Sequence, residues 1–537
     1  MNTHRAFLAG LLSLVCPVFA AAPDRSDQKL RELSVLPGAT VTVALSTTQV
    51  QRPAAGLSKT ELSRRISELQ QELKKEPTAE GFYQLGLFLR EGTPEETNAF
   101  KRAAELFRPR AEARPKDGPL QAQYADALVA NGKRDEAERV LRNALKSIPD
   151  DWHCWLGLGE LLDSRAMAPL FGTNSIAKSA RIDQSSARPG QELTGDEVTK
   201  MRRALSEAGK AYEQAVRLAP KEPTLAAQQA SRGLGSNMLE WVLEQHSGEK
   251  SSDPRNRMQQ LMSSDEQCAL WGRAARLWPT NFYAAGYWGW IEILPGILRG
   301  LDAKPLDNVA AQRREHFLEA MRLLEKLSGN ANSALTAGAF ECLGVLQFFG
   351  GYETANARAS FRRAVKLDSG RSQAWDGLVL CAIKDAGADW SELVSVTEER
   401  LQHDDTARNR IHAVRACAKA GLADKALNHA RKATRIDDND PAAWLCYAAL
   451  LLRSPDDGAY PKMPDYLKTG YDLSKKLEDG EDKANLMIVY SINLAIGNAV
   501  AGQQDLARKI LMQLSSSDSL SDDHQQRIKE ILTIIGN

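Results

Sequence analysis

The chain lacks an excess of charge of either sign. Lysine plus arginine and aspartate plus glutamate each number 69 in 537 residues. There is therefore no global basic field of the kind that draws a protein to nucleic acid or to an anionic membrane. Aromatic residues are few, at 6%, and β-branched runs are scarce, whereas alanine and leucine abound, which favours helix over strand. No CxxC pair occurs, and neither the cysteines nor the eight histidines fall at metal-ligand spacing. HExxH and a P-loop are also missing. Past the amino terminus no stretch reaches the ~18 apolar residues of a membrane-crossing helix. These absences exclude the common metalloenzyme and nucleotide-binding signatures and leave a helical chain whose chemistry must lie in recognition.

The first twenty residues read as an export leader. Arg5 is the basic n-region, Ala6 to Phe19 is a short apolar h-region, and Val18-Phe19-Ala20 is a small-residue processing site. Cleavage is expected after Ala20, and the expected destination is the periplasm, with lipid-anchored or extracellular forms as alternatives. Cys16 is a poor lipidation site, because Val15 stands where a small residue is wanted. Residues 21–56 carry Pro, Gly, Thr and Ser and read as a flexible amino-terminal tether, with one short strand at Val41 to Leu45. Removal of the leader takes Cys16 with it. Of the remaining cysteines, Cys381 and Cys417 occupy similar heights in neighbouring segments and form the one candidate disulfide; the general expectation for all six is burial as small apolar residues.

The informative stretch is Gly118 to Leu162. Gly132 lies five residues before Ala137, and Leu141, Ala144 and Pro149 follow Ala137 at +4, +7 and +12. Trp155 then repeats the position of Gln121 after 34 residues. Small residues (Ala125, Ala137, Ala144, Gly159) alternate with large ones (Tyr124, Leu128, Leu141, Trp155), as two closely packed helices require. Gly132 accepts the positive φ of a tight turn, and Pro149 ends the second helix. This pattern resembles the tetratricopeptide repeat (TPR), whose period is 34. It recurs from about residue 57 to 537, with strong copies at Ala407 to Asp438 and near Leu494 to Leu511. The resemblance implies an all-α fold, an α-solenoid (superhelix) of about nine TPR-like helical hairpins with insertions, closed by a capping helix from Asp522 to Ile535. The largest insertion, about 164–199, is rich in Ser, Ala, Gly and Gln and reads as a surface loop.

Three triplets, Ser175-Ile-Ala-Lys178, Ser328-Gly-Asn330 and Lys468-Thr-Gly470, occur in the order used by penicillin-binding enzymes. That chemistry needs the last triplet on a sheet edge, and an all-helical repeat offers none. The expectation is a non-catalytic scaffold with no cofactor and no metal. TPR proteins bind peptides on the concave face lined by the first helix of each hairpin. Carried over by position, that face includes His153 and Glu160, then Tyr283 and Trp290, then Arg408 and Arg415. The two arginines suit an acidic segment. The partner is expected to be a protein or peptide, not nucleic acid. The aromatic run Phe282 to Trp290 supports an alternative, a glycan-binding envelope module that stacks sugar rings on Tyr283 and Trp290.

Overall fold

The computed structural model describes residues 25–37, 59–89, 93–171, 195–246, 257, 260–297, 305–387, 389–477, 481–515 and 520–536. They form two compact units, one within residues 42–381 and one that joins the amino-terminal residues up to 41 with residues 382–537. Helices and two short 3-10 turns account for the regular structure of the described residues, with no strand among them.

In the first unit the helices pair as antiparallel hairpins: Ala79–Phe88 with Pro94–Ala113, Gly118–Ala130 with Arg134–Ser147, and Trp152–Phe171 with Gly195–Leu218. Pro223–His246 with Asp265–Leu277, Phe282–Ile297 with Ala311–Ser328, and Ser333–Phe349 with Thr354–Leu367 continue the series. The second unit contains Ala407–Lys419 with Ala423–Ile436, Pro441–Arg453 with Met463–Lys476, and Glu481–Val500 with Gln504–Ser515. The expected capping helix is Asp522–Gly536.

Several hairpins begin and turn by the same local chemistry. Asp117, Ser264, Thr406 and Asp440 cap their helices by accepting backbone N–H groups that have no intrahelical partner. At the hairpin turn Gly132 adopts φ +77°, and Lys133 N donates to Leu128 O across it at 2.8 Å, a Schellman closure. Gly421 repeats this at φ +73°, with Leu422 N donating to Cys417 O at 2.8 Å. Neither glycine has an atom within 4 Å of where a Cβ would stand. Gly421→Ala therefore has only the backbone cost of a left-handed residue, about 1 kcal/mol. A urea midpoint unchanged from wild type would refute that.

Between hairpins the sequence supplies a second recurring device. Trp155, Trp375 and Trp444 each donate their indole N–H to a carbonyl six residues earlier, Pro149 O at 2.7 Å, Ser369 O at 2.9 Å and Asp438 O at 2.8 Å. The bond ties each first helix to the turn before it. Close packing follows the small-against-large rule. A Cβ on Gly344 or Gly377 would meet the Phe361 ring at 2.6 or 2.4 Å, and one on Gly338 would meet Phe282 at 2.2 Å.

Two expectations need correction. Residues 25–37, read as part of a tether, include the helix Arg25–Glu32 and a buried extension in which Ser34 is 0% exposed. Composition reads such a short polar segment as irregular because its partners lie far away in sequence. The insertion at 164–199 is also less loop-like at its ends: one helix runs on to Phe171 and the next starts at Gly195. The strand expected at 41–45, the leader, and most of the insertion lie outside the described residues.

Candidate functional site

First helices of the unit within 42–381 carry an acidic face. Asp126 comes from Gly118–Ala130, Glu160 and Asp163 from Trp152–Phe171, and Gln228 and Arg232 from Pro223–His246. Gln228 Nε2 donates to Glu160 Oε1 at 2.8 Å, and Arg232 Nε lies 3.4 Å from Asp163 Oδ2. Burial raises the Asp126 carboxyl; burial and the Asp126 and Asp163 charges raise Glu160. Burial pushes Asp163 to about 7, against the pull of Arg232.

The sign of the pH effect follows. These carboxyls hold protons in the folded chain at a pH where the unfolded chain, with carboxylates near pKa 4, has released them. Their contribution is fully present below about pH 4 and is lost as pH rises through the raised values. Glu160→Gln is expected to flatten the fall in urea midpoint between pH 5 and pH 8; an unchanged slope would count against the assignment.

The aromatic run folds differently from the expectation of an exposed platform. Tyr283 and Tyr287 are each 4% exposed. Tyr283 packs on Phe282 with ring centroids 4.2 Å apart, and burial raises its hydroxyl pKa. Neighbouring hairpins enclose this helix, so residues that position alone assigns to a groove become core. Trp290 is half-buried and sets its ring edge-on to Phe349, at 4.8 Å and 86°. His153 is half-buried and stacks on Trp152 at 3.7 Å.

In the second unit, the helix Ala407–Lys419 carries positive charge. Arg408 is exposed and Arg415 half-buried. His412 between them is 6% exposed, and burial, with the charges of Arg400, Arg408 and Arg415, pushes it down to about 3. Glu398, Cys417 and His429 bring ligand-type atoms within 4.8 Å of one another. Arg410 Nη1 lies 3.1 Å from His429 Nδ1, and His429 Nε2 lies 3.0 Å from Glu398 Oε1. These bonds require Nδ1 to accept and Nε2 to donate, so His429 links Arg410 to Glu398, and the guanidinium opposes a bound cation.

The same unit holds the end of the helix Arg25–Glu32 and the residues that follow it against Pro441–Arg453, Glu481–Val500 and Asp522–Gly536, a feature missed in the sequence. Asn493 Nδ2 donates to Val35 O at 2.7 Å and Asn493 Oδ1 accepts from Val35 N at 2.8 Å. Arg453 Nε donates to Ser34 Oγ at 2.7 Å, and its Nη2 donates to Ser34 O. Arg527 Nη1 reaches Leu33 O at 3.5 Å. Arg31 Nη1 donates to Tyr460 Oη at 2.7 Å and to Leu452 O at 3.2 Å. Ser34 Oγ donates to Ala449 O at 3.0 Å. Three side chains thus read the backbone of residues 33–35, and two side chains of the segment answer to carbonyls of Pro441–Arg453.

The tetratricopeptide repeat family model matches residues 118–161. Among solved structures, yeast Tom70 aligns with 13% identity over 88% of this chain and 92% of that chain, at a TM-score of 0.35. The APC/C hetero-tetramer Cut9-Hcn1 aligns with 13% identity over 82% of this chain and 91% of that one, at a TM-score of 0.29. No curated protein matches the chain. Residues 118–161 match the tetratricopeptide repeat model, and the described residues around them are helical hairpins.

Proposed function

We propose that the chain is a non-catalytic scaffold that binds extended segments of partner proteins on its first-helix faces. A helical repeat fold of this kind points to protein–protein interaction. The observation that carries the finer reading is the way Asn493, Arg453 and Arg527 hold residues 33–35. Paired bonds from one amide side chain to the N–H and C=O of Val35 recognise backbone rather than side chain. Charge adds selectivity: Arg408 and Arg415 in the second unit suit an acidic segment. Burial of Tyr283 and Tyr287 removes most of the aromatic platform on which a glycan-binding reading would rest.

The test is photo-crosslinking of the full chain in its own cells. A crosslinking residue at Leu156, half-buried on the first helix Trp152–Phe171 between His153 and Glu160, or at Arg408 should capture a discrete protein, whereas one at Met512, an exposed position on a second helix (62%), should not. Equal labelling from all three positions would end the groove reading. The compartment in this proposal is the periplasm, on the strength of the leader alone. Amino-terminal sequencing of the protein from its native cells should then begin at Ala21.

A further inference from the structure

We infer that the unit formed with residues 382–537 contains a peptide-binding groove whose resident ligand is the chain's own segment 30–35. A partner segment of the same chemistry must displace it. The inference rests on the scaffold reading and names both the occupant of one groove and the partner it excludes.

The groove walls are Pro441–Arg453, Glu481–Val500 and Asp522–Gly536, with Tyr460 at one end. Its polar equipment is arranged for a chain that is not part of the wall. Asn493 is 0% exposed, and the bonds it makes to Val35 use both ends of its amide. Burial lowers the Arg453 pKa, the nearby Arg527 lowers it further, and Glu32 of the segment opposes them. With the segment absent, the Asn493 amide and the Arg453 and Arg527 guanidiniums would lose these partners. The wall is therefore complementary to an incoming backbone.

The segment in turn has ligand-like features. More than 400 residues separate it from every group that holds it. Its anchors are Leu30 at 3% and Val35 at 6% exposure, with Arg31 and Ser34 between them at 5% and 0%. The Arg31 guanidinium lies 5.2 Å from the Tyr460 ring centroid as well as bonding its hydroxyl. The partner class follows: a peptide with an apolar residue and an arginine in the last turn of a short helix, then, three positions after the arginine, a small hydroxyl residue followed by a β-branched residue.

A tethered ligand acts at an effective concentration on the order of 1 mM. A free peptide with an intrinsic Kd of about 10 μM would then be weakened on the order of 100-fold by the resident segment.

The experiment uses the full chain and a fluorescent peptide copying residues 25–37, read by anisotropy. In Leu30→Asp/Val35→Asp, which disables the resident segment without altering the wall, the peptide should bind on the order of 100-fold more tightly than to wild type. Adding Asn493→Ala to that variant should weaken binding at least about tenfold, the loss of two hydrogen bonds to the backbone. Equal binding to wild type and to the opened variant, or no binding to the opened variant with its circular dichroism intact, would overturn the inference. If the opened variant loses helicity, wild type with a protease site placed between residues 38 and 58 carries the test. After cleavage, excess labelled peptide should exchange into the groove, and failure to exchange would overturn the inference. Failure here with positive crosslinking at Leu156 or Arg408 would leave the scaffold reading standing.

Discussion

Trp288→Ala is expected to lower the stability of the unit within residues 42–381 by about 4 kcal/mol, the middle of the range for a buried tryptophan. Trp288 is 0% exposed, and a Cβ on Gly272 would come within 2.9 Å of its ring, so that glycine is what lets the helices approach. The Arg276 guanidinium sits 4.7 Å from the ring centroid, and the His316 ring lies 5.5 Å away. The indole N–H donates to Glu292 Oε1 at 2.9 Å, and Glu292 is itself 0% exposed. Truncation opens a cavity and also removes a donor from a buried carboxylate, leaving it His316 at 2.8 Å and Arg313 at 3.7 Å. Urea unfolding read by circular dichroism checks the size of the loss. Trp288→Phe separates the two causes: it keeps most of the volume but not the N–H, so it should recover more than half of the loss. A cost below about 1.5 kcal/mol for the alanine variant would mean that the cavity collapses or fills.

Arg371→Leu should cost about 3–5 kcal/mol, because it strips the partner from a buried charge. The Arg371 and Glu341 side chains are 5% and 3% exposed, and Nη1 lies 3.4 Å from Oε1. Asp368 Oδ2 is 3.4 Å from Nε, Nη2 donates to Ala334 O at 3.2 Å, and the guanidinium lies 5.4 Å from the Phe282 ring centroid. Burial raises the Glu341 carboxyl and Arg371 pulls it back. Without the arginine, Glu341 must stay buried and charged or take up a proton. The double variant Glu341→Leu/Arg371→Leu should therefore be more stable than Arg371→Leu alone. A double-mutant cycle with no coupling would show that the two groups act independently.

The hairpins were legible because their determinants are local. Gly132 and Gly421 take the positive φ that the turn demands, the small residues at Gly159 and Ala144 lie where helices meet, and Asp522 to Ile535 reads as a helix from its own periodicity. The aromatic run was only half legible. Trp288 occupies a core position of the repeat, but the burial of Tyr283 depends on the neighbouring hairpins, and no single repeat encodes that. The segment at residues 30–35 was the least legible. Its helix is short and polar, and its burial is decided by Asn493, Arg453 and Arg527, which act on its backbone and so leave no pattern in its side chains. Of the positions read as groove residues, Glu160 accepts from Gln228 of the next hairpin, and Arg408 and Arg415 share the helix Ala407–Lys419.

The six cysteines described here are all buried. Burial raises Cys154, Cys268, Cys342, Cys417 and Cys446 above the ordinary thiol range. A thiol in this state is a clock: it reacts only when its own stretch of helix opens. Cys154, Cys268, Cys342 and Cys381 time successive segments of one unit, and Cys417 and Cys446 time two hairpins of the other. Alkylation rates at the six sites would give a ladder of opening free energies along the chain without any introduced probe. In an oxidising compartment the same clock carries a penalty, since a chain that opens fully exposes several thiols at once and can be trapped by crosslinks before it refolds.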